Sequence, residues 1–90
     1  MKITDVKVKP VNGASRLKAV VEITIDGVFV VHELRIIEGT NGLFVAMPSR
    51  QVGENVYKDV AHPINAETRK MIEDAVLEKY EAALLEKNEN

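Results

Sequence analysis

Ninety residues with a thin margin of hydrophobic side chains make one small domain, because a chain this short buries only about two-thirds of its unfolded surface. The absence of cysteine removes disulfides and thiolate metal sites, so packing and oligomerisation are the sources of stability that remain. A net charge of −2 with 29 % charged residues argues against a binder driven by bulk positive charge.

The charge is unevenly placed. Through Pro63 the basic residues exceed the acidic ones by one, and from Ile64 onward the acidic ones lead by three. A local basic surface is therefore compatible with an acidic whole. Met1-Lys2-Ile3-Thr4-Asp5 carries no apolar leader and no run is long enough to span a bilayer, so the expectation is a cytoplasmic protein without membrane contact.

Taken in order, Val6 and Val8 alternate with Asp5, Lys7 and Lys9, the period of two of a half-buried strand. Pro10 ends it or sets it on an edge, and Asn12-Gly13 supplies a turn. The next strand places Leu17, Ala19, Val21, Ile23 and Ile25 on one face. Asp26-Gly27 follows at once, a strong hairpin signal because a type I′ turn needs positive φ at both central positions.

The run 28–37 is apolar on both faces, with Val28, Val30, Leu34 and Ile36 on one and Phe29, Val31 and Ile37 on the other. That pattern predicts a central strand covered on both sides along part of its length. Gly39 and Asn41-Gly42 make a turn into a fourth strand at 43–47. A polar loop beginning Pro48-Ser49-Arg50 leads to a fifth at 56–61.

Asn65 is placed as a helix N-cap, with Glu67 suited to the helix dipole. Ile72, Ala75, Val76, Tyr80, Ala83 and Leu84 then recur at three- and four-residue spacing as one apolar stripe. The expected architecture is α+β: a five-stranded, mainly antiparallel sheet over about 2–62 with one long C-terminal helix over about 66–87, in a single domain.

Chemical motifs are few. Ser49 lacks the glycines of a nucleophile elbow and has no base at a recognisable spacing. Gly39 and Gly42 sit in a hairpin, with no helix behind them to make a phosphate cradle. His62, at the strand–helix junction, reads as a ring that fixes the turn through hydrogen bonds, and His32 reads as a packed or interface residue. No catalytic residue, metal ligand or cofactor site is expected, and the chain does not read as an enzyme.

The basic residues around the junction are the better candidates. Arg50 lies in the loop, Lys58 on the fifth strand, and Arg69 and Lys70 in the first turns of the helix, where cations oppose the helix dipole. The plainer reading is a solvated face with Arg69 paired to Glu73 four residues on. The functional reading is a set of groups meeting a phosphate backbone together with the free N–H groups of the helix start.

The segment Asn41-Gly42-Leu43-Phe44-Val45-Ala46-Met47-Pro48-Ser49-Arg50 and the segment Tyr57-Lys58-Asp59-Val60-Ala61-His62-Pro63-Ile64-Asn65 closely resemble the SpoVG family, that of stage V sporulation protein G. Met1-Lys2-Ile3-Thr4-Asp5-Val6, Phe29-Val30-Val31-His32, Arg35-Ile36-Ile37 and Thr68-Arg69-Lys70 match it as well, so the resemblance runs to about Tyr80. It implies a small bacterial regulator that binds double-stranded DNA, and in some members RNA, linked to septation, cell division, sporulation and gene regulation. It also implies a homodimer joined through the sheet, with the helix and adjacent loop in nucleic-acid contact. On that resemblance Arg50, Lys58, Arg69 and Lys70 are the nucleic-acid-binding candidates. Gln51 departs from the pattern, since many members carry a second basic residue there. The competing reading is a protein-interaction module acting in division or transcription through the sheet edge or the acidic end of the helix.

Overall fold

The computed structural model describes residues 1–13 and 15–88. It is an α+β fold in which six strands and one helix follow in chain order: β1 (Ile3–Pro10), β2 (Leu17–Ile25), β3 (Phe29–Gly39), β4 (Gly42–Ala46), β5 (Ser49–Gly53), β6 (Val56–Asp59) and α1 (Ala66–Asn88). The first four form one antiparallel sheet in the order β1-β2-β3-β4, while β5 and β6 pair only with each other. The expected fifth strand therefore does not join the main sheet. The polar loop after Pro48 is itself β5, and it takes the later strand as its partner in a separate ribbon.

Local chemistry accounts for the turns. Asp26 and Gly27 both have positive φ, 53° and 68°, and Val28 N donates to Ile25 O at 3.1 Å, which closes the expected tight hairpin. Gly39 pairs with Gly42 across the next turn. A Cβ on Gly39 would stand 3.1 Å from the Phe44 ring, so glycine is what lets that aromatic approach the strand end so closely.

One face of the sheet is covered by α1. Ala19, Val21 and Ile23 of β2, Leu34 and Ile36 of β3, Val45 and the following Met47 meet Ile72, Val76 and Tyr80 of the helix as the buried core. Burying each of the larger aliphatic side chains is worth about 1.5–3 kcal/mol, and this layer is what holds the sheet and helix together. Leu77 packs against the core too, whereas Leu84, assigned to the stripe from its spacing, stays 37 % exposed.

The opposite face has no layer over it. The strand β3 lies between β2 and β4, yet it is not covered on both sides: Val30 and Phe29 are exposed and Ile37 is half-buried. Its face assignment also shifts midway. Val21 pairs with Leu34 and Ile23 with Val31, so one residue of β2 spans two of β3, and Glu33 takes φ 68°. An added residue inverts every side chain beyond it. Val31, Leu34 and Ile36 thus share the core side, while Val30 belongs with Arg35 and Ile37 on the open side.

The two sheet edges differ. The β1 edge carries Lys7, Lys9 and the terminal Pro10, and its register shifts between Ile3 and Asp5. The β4 edge reads Gly-Leu-Phe-Val-Ala, without a charge or proline. Charge, proline and irregularity are the features that discourage further strand pairing.

Candidate nucleic-acid interface

The ribbon β5–β6 grows out of the end of β4. Its base is closed by Val60 N donating to Pro48 O at 2.7 Å, and Arg35 Nη2 donates to Ser49 Oγ at 2.9 Å from the neighbouring sheet. Beyond that base its main contacts are internal, and every residue from Arg50 to His62 is exposed. The tip turns at Glu54-Asn55, with Asn55 at φ 59°, a conformation asparagine tolerates better than most residues.

Register decides what the ribbon displays. Ser49 pairs with Asp59, Arg50 with Lys58 and Gln51 with Tyr57. Cross-strand partners share a face, so two cations stand side by side on one face and Gln51 lies beside Tyr57 on the other. Among the described residues neither Arg50 nor Lys58 is in an ion pair. Like charges directly opposite one another cost stability rather than add it.

The helix start lies close to the ribbon base. An apolar cavity of about 180 Å³ is lined by Pro48 and Ala61 from that base and by Pro63, Thr68 and Ile72 from the helix entry. Arg50 comes two residues after Pro48 and Arg69 one residue after Thr68, so each set of cations follows in the chain on a residue that lines this cavity. Asn65 caps the helix as expected: its Oδ1 accepts from Thr68 N at 2.7 Å, and its carbonyl accepts from Arg69 N at 3.2 Å. His62 Nδ1 lies 3.0 Å from Pro63 O, the turn-fixing role assigned to it.

The ion pairs of the first helical turns are not the expected ones. Lys70 Nζ meets Asp74 Oδ2 at 3.2 Å, and Arg69, which the spacing offered to Glu73, is in no ion pair among the described residues. Arg69 also lines a shallow depression with His62, Pro63, Ile64, Asn65 and Ala66. Among the described residues three of the four candidate cations, Arg50, Lys58 and Arg69, thus lack a carboxylate partner, and Lys70 has a weak exposed one.

His32 is neither packed nor apolar in its surroundings. It is exposed on the open sheet face with Nδ1 2.9 Å from Glu22 Oε2, and Lys7 Nζ approaches the same carboxylate at 3.9 Å. The β3 irregularity at Glu33 puts Glu22 within reach. No cluster of three metal-ligating side chains occurs among the described residues. No described helix is long and apolar enough to cross a membrane.

Two site features escaped the reading of the sequence. Arg35 anchors the ribbon through Ser49, and Tyr57 presents its ring to solvent. The signal for the ribbon was present in Gly53-Glu54-Asn55, turn-forming residues between two short strand-like runs.

Comparison with known proteins agrees with the pattern of residues. The SpoVG family model matches residues 1–82. A protein of Clostridioides difficile is 56 % identical over 86 residues, covering 96 % of this chain and 94 % of its own. One from Caldicellulosiruptor bescii is 55 % identical over 93 % of this chain and 96 % of its own. One from Lachnoclostridium phytofermentans is 56 % identical over 98 % and 95 %. All three carry the name "Putative septation protein SpoVG".

Proposed function

Because the chain belongs to the SpoVG family, we propose that it is a small nucleic-acid-binding regulator, site-preferring on double-stranded DNA and able to take RNA, in a pathway of septation or sporulation. The observation that carries this reading is the Arg50–Lys58 pair, two cations held in register with, among the described residues, no carboxylate on either. A protein gains nothing in stability from that arrangement, and a polyanion supplies the missing counter-charge. Arg69 and Lys70, at the start of the helix that follows the ribbon, offer further cations to the same polyanion. Phosphate oxygens are what such groups hold, and base edges reached from the ribbon would set the site preference.

A homodimer fits this reading. The uncovered face of the main sheet shows Val20, Val30, Ile37 and Phe44 beside charged groups, and a second copy laid on it completes their burial. Sedimentation of a stable monomer at micromolar concentration would remove this part of the proposal.

The test of nucleic-acid binding is a titration of duplex DNA across a salt series with the parent chain and with the double substitution Arg50→Gln, Lys58→Gln. Binding that weakens in the variant, while its urea midpoint holds, supports the reading. Retention of full affinity overturns it.

The β4 edge favours a second reading, a module that docks extended protein segments. Its backbone is unpaired on one side and free of charge. Salt separates the two readings, since phosphate contacts fade steeply with ionic strength and an apolar or backbone-paired protein interface does not.

A further inference from the structure

We infer that the outer edge of β6 binds a nucleotide whose base is unpaired, with the base stacked on the Tyr57 ring and its phosphate on Lys58. The inference rests on the nucleic-acid reading above and names the form of nucleic acid the ribbon takes.

Three of the four aromatic residues of the chain are turned to solvent: Phe29, Phe44 and Tyr57, leaving Tyr80 alone in the core. Phe29 closes a strand end and Phe44 lies against Gly39 on the main sheet. Tyr57 has no such neighbour. It stands 62 % exposed on a ribbon whose main contacts are its own, so its ring contributes nothing to the core. An aromatic ring in that setting has a use only if something apolar and flat is brought to it.

Charge selects the visitor. Tyr57 and Lys58 are consecutive on a strand, so their side chains leave β6 on opposite faces of the ribbon. They flank one edge, and that edge has no strand partner. A single nucleotide straddling it places a base on one face and an anionic phosphate on the other, where Lys58 and Arg50 lie side by side. On the base side Gln51 sits across from Tyr57. Its Nε2 donates to Gly53 O at 3.1 Å, which leaves Oε1 to accept from a base N–H, the ring N3–H of thymine or uracil among them. A protein partner with an apolar surface would match Tyr57 and leave the two cations unanswered.

The base must be unpaired. Inside a duplex both π-faces of a base are already taken by its neighbours, so a side chain stacks only on bases in loops, bulges, ends or single strands. Single-stranded DNA and looped RNA offer the same chemistry, a π-face with an adjacent phosphate.

The experiment uses the chain's own optics. It has no tryptophan, and of its two tyrosines Tyr80 is buried and Tyr57 exposed, so a change in tyrosine emission on adding an oligonucleotide reports on Tyr57. The full chain is titrated with short oligothymidylate, oligouridylate and a blunt duplex, as parent, Tyr57→Phe, Tyr57→Ala and Arg50→Gln, Lys58→Gln, with emission read in the parent and the affinity of every form read from the anisotropy of end-labelled strands. Stacking predicts quenching by the single strands, retention of affinity in Tyr57→Phe, and a loss of about five- to a hundredfold in Tyr57→Ala for single strands with duplex affinity unchanged. A stronger response to uridylate than thymidylate assigns the ligand to RNA, the reverse to DNA, and both support the site. Single-strand affinity unchanged in Tyr57→Ala overturns the stacking alone if the double cation variant still weakens binding. If the cation variant also binds every ligand as the parent does, the nucleic-acid reading fails with it.

Discussion

Arg50 and Lys58 stand directly across the β5–β6 ladder from each other, two cations sharing a ribbon face on which, among the described residues, no carboxylate meets either. Stability and binding pull in opposite directions at this pair. Replacing one of them with a carboxylate, Lys58→Glu, turns a repulsive cross-strand pair into an attractive one. The expected result is a ribbon more stable by about 0.2–1 kcal/mol, seen as a raised urea midpoint, together with weakened duplex binding. A variant that loses both stability and binding would show that Lys58 serves the fold instead.

The salt dependence counts the cations. Three of the candidates, Arg50, Lys58 and Arg69, have no ion-pair partner among the described residues, so duplex binding should fall with log salt at a slope of roughly −3 for each chain engaged. Removing any one of them, as in Arg69→Gln, should flatten the slope by about one. Lys70→Gln should flatten it less, because Asp74 already holds that ammonium at 3.2 Å. Equal effects from Arg69 and Lys70 would mean that the Asp74 contact opens on binding.

Helix entry depends on one side chain. The Asn65 Oδ1 bond to Thr68 N satisfies a donor that the helix cannot, and Asn65→Ala should cost about 1 kcal/mol in equilibrium unfolding. Asn65→Ser should recover most of it, since a serine hydroxyl accepts the same N–H. No difference between the two variants would assign the cost to something other than the cap.

The irregularity in β3 offers a test of strain. Glu33 holds φ 68°, a region where a Cβ is unfavourable and glycine is not. Glu33→Gly should therefore be tolerated or gain up to about 1 kcal/mol, while Glu33→Val should lose at least as much. Thermal melts of the two variants displaced in the same direction would show that the residue leaves the left-handed region easily.

How much of this could be read from the residues depends on how local each signal is. The β2 face of Ala19, Val21 and Ile23, the Asp26-Gly27 turn and the Asn65 cap were legible because each rests on a period of two or on one residue's own backbone preference. The β3 faces were not, because a single added residue at Glu33 reverses the alternation and glutamate gives no sign of it. The ribbon was read as loop plus fifth strand, since β5 is only Ser49–Gly53, polar and exposed, with no apolar face to show its period. At the candidate site the residue types were legible and their pairing was not. Register set Arg50 against Lys58, and side-chain geometry chose Asp74 for Lys70 over Glu73 for Arg69.

The unequal edges of the main sheet carry a consequence for assembly. A copy added through β4 must present its own outer strand, β1, to solvent, and β1 is guarded by Lys7, Lys9 and Pro10. Pairing of β4 with β4 about a two-fold axis therefore ends after one step, with a guarded strand on each flank. In such a pair the open edge of the main sheet would be used up in the first union, and a fibril growing through that sheet would find no next foothold.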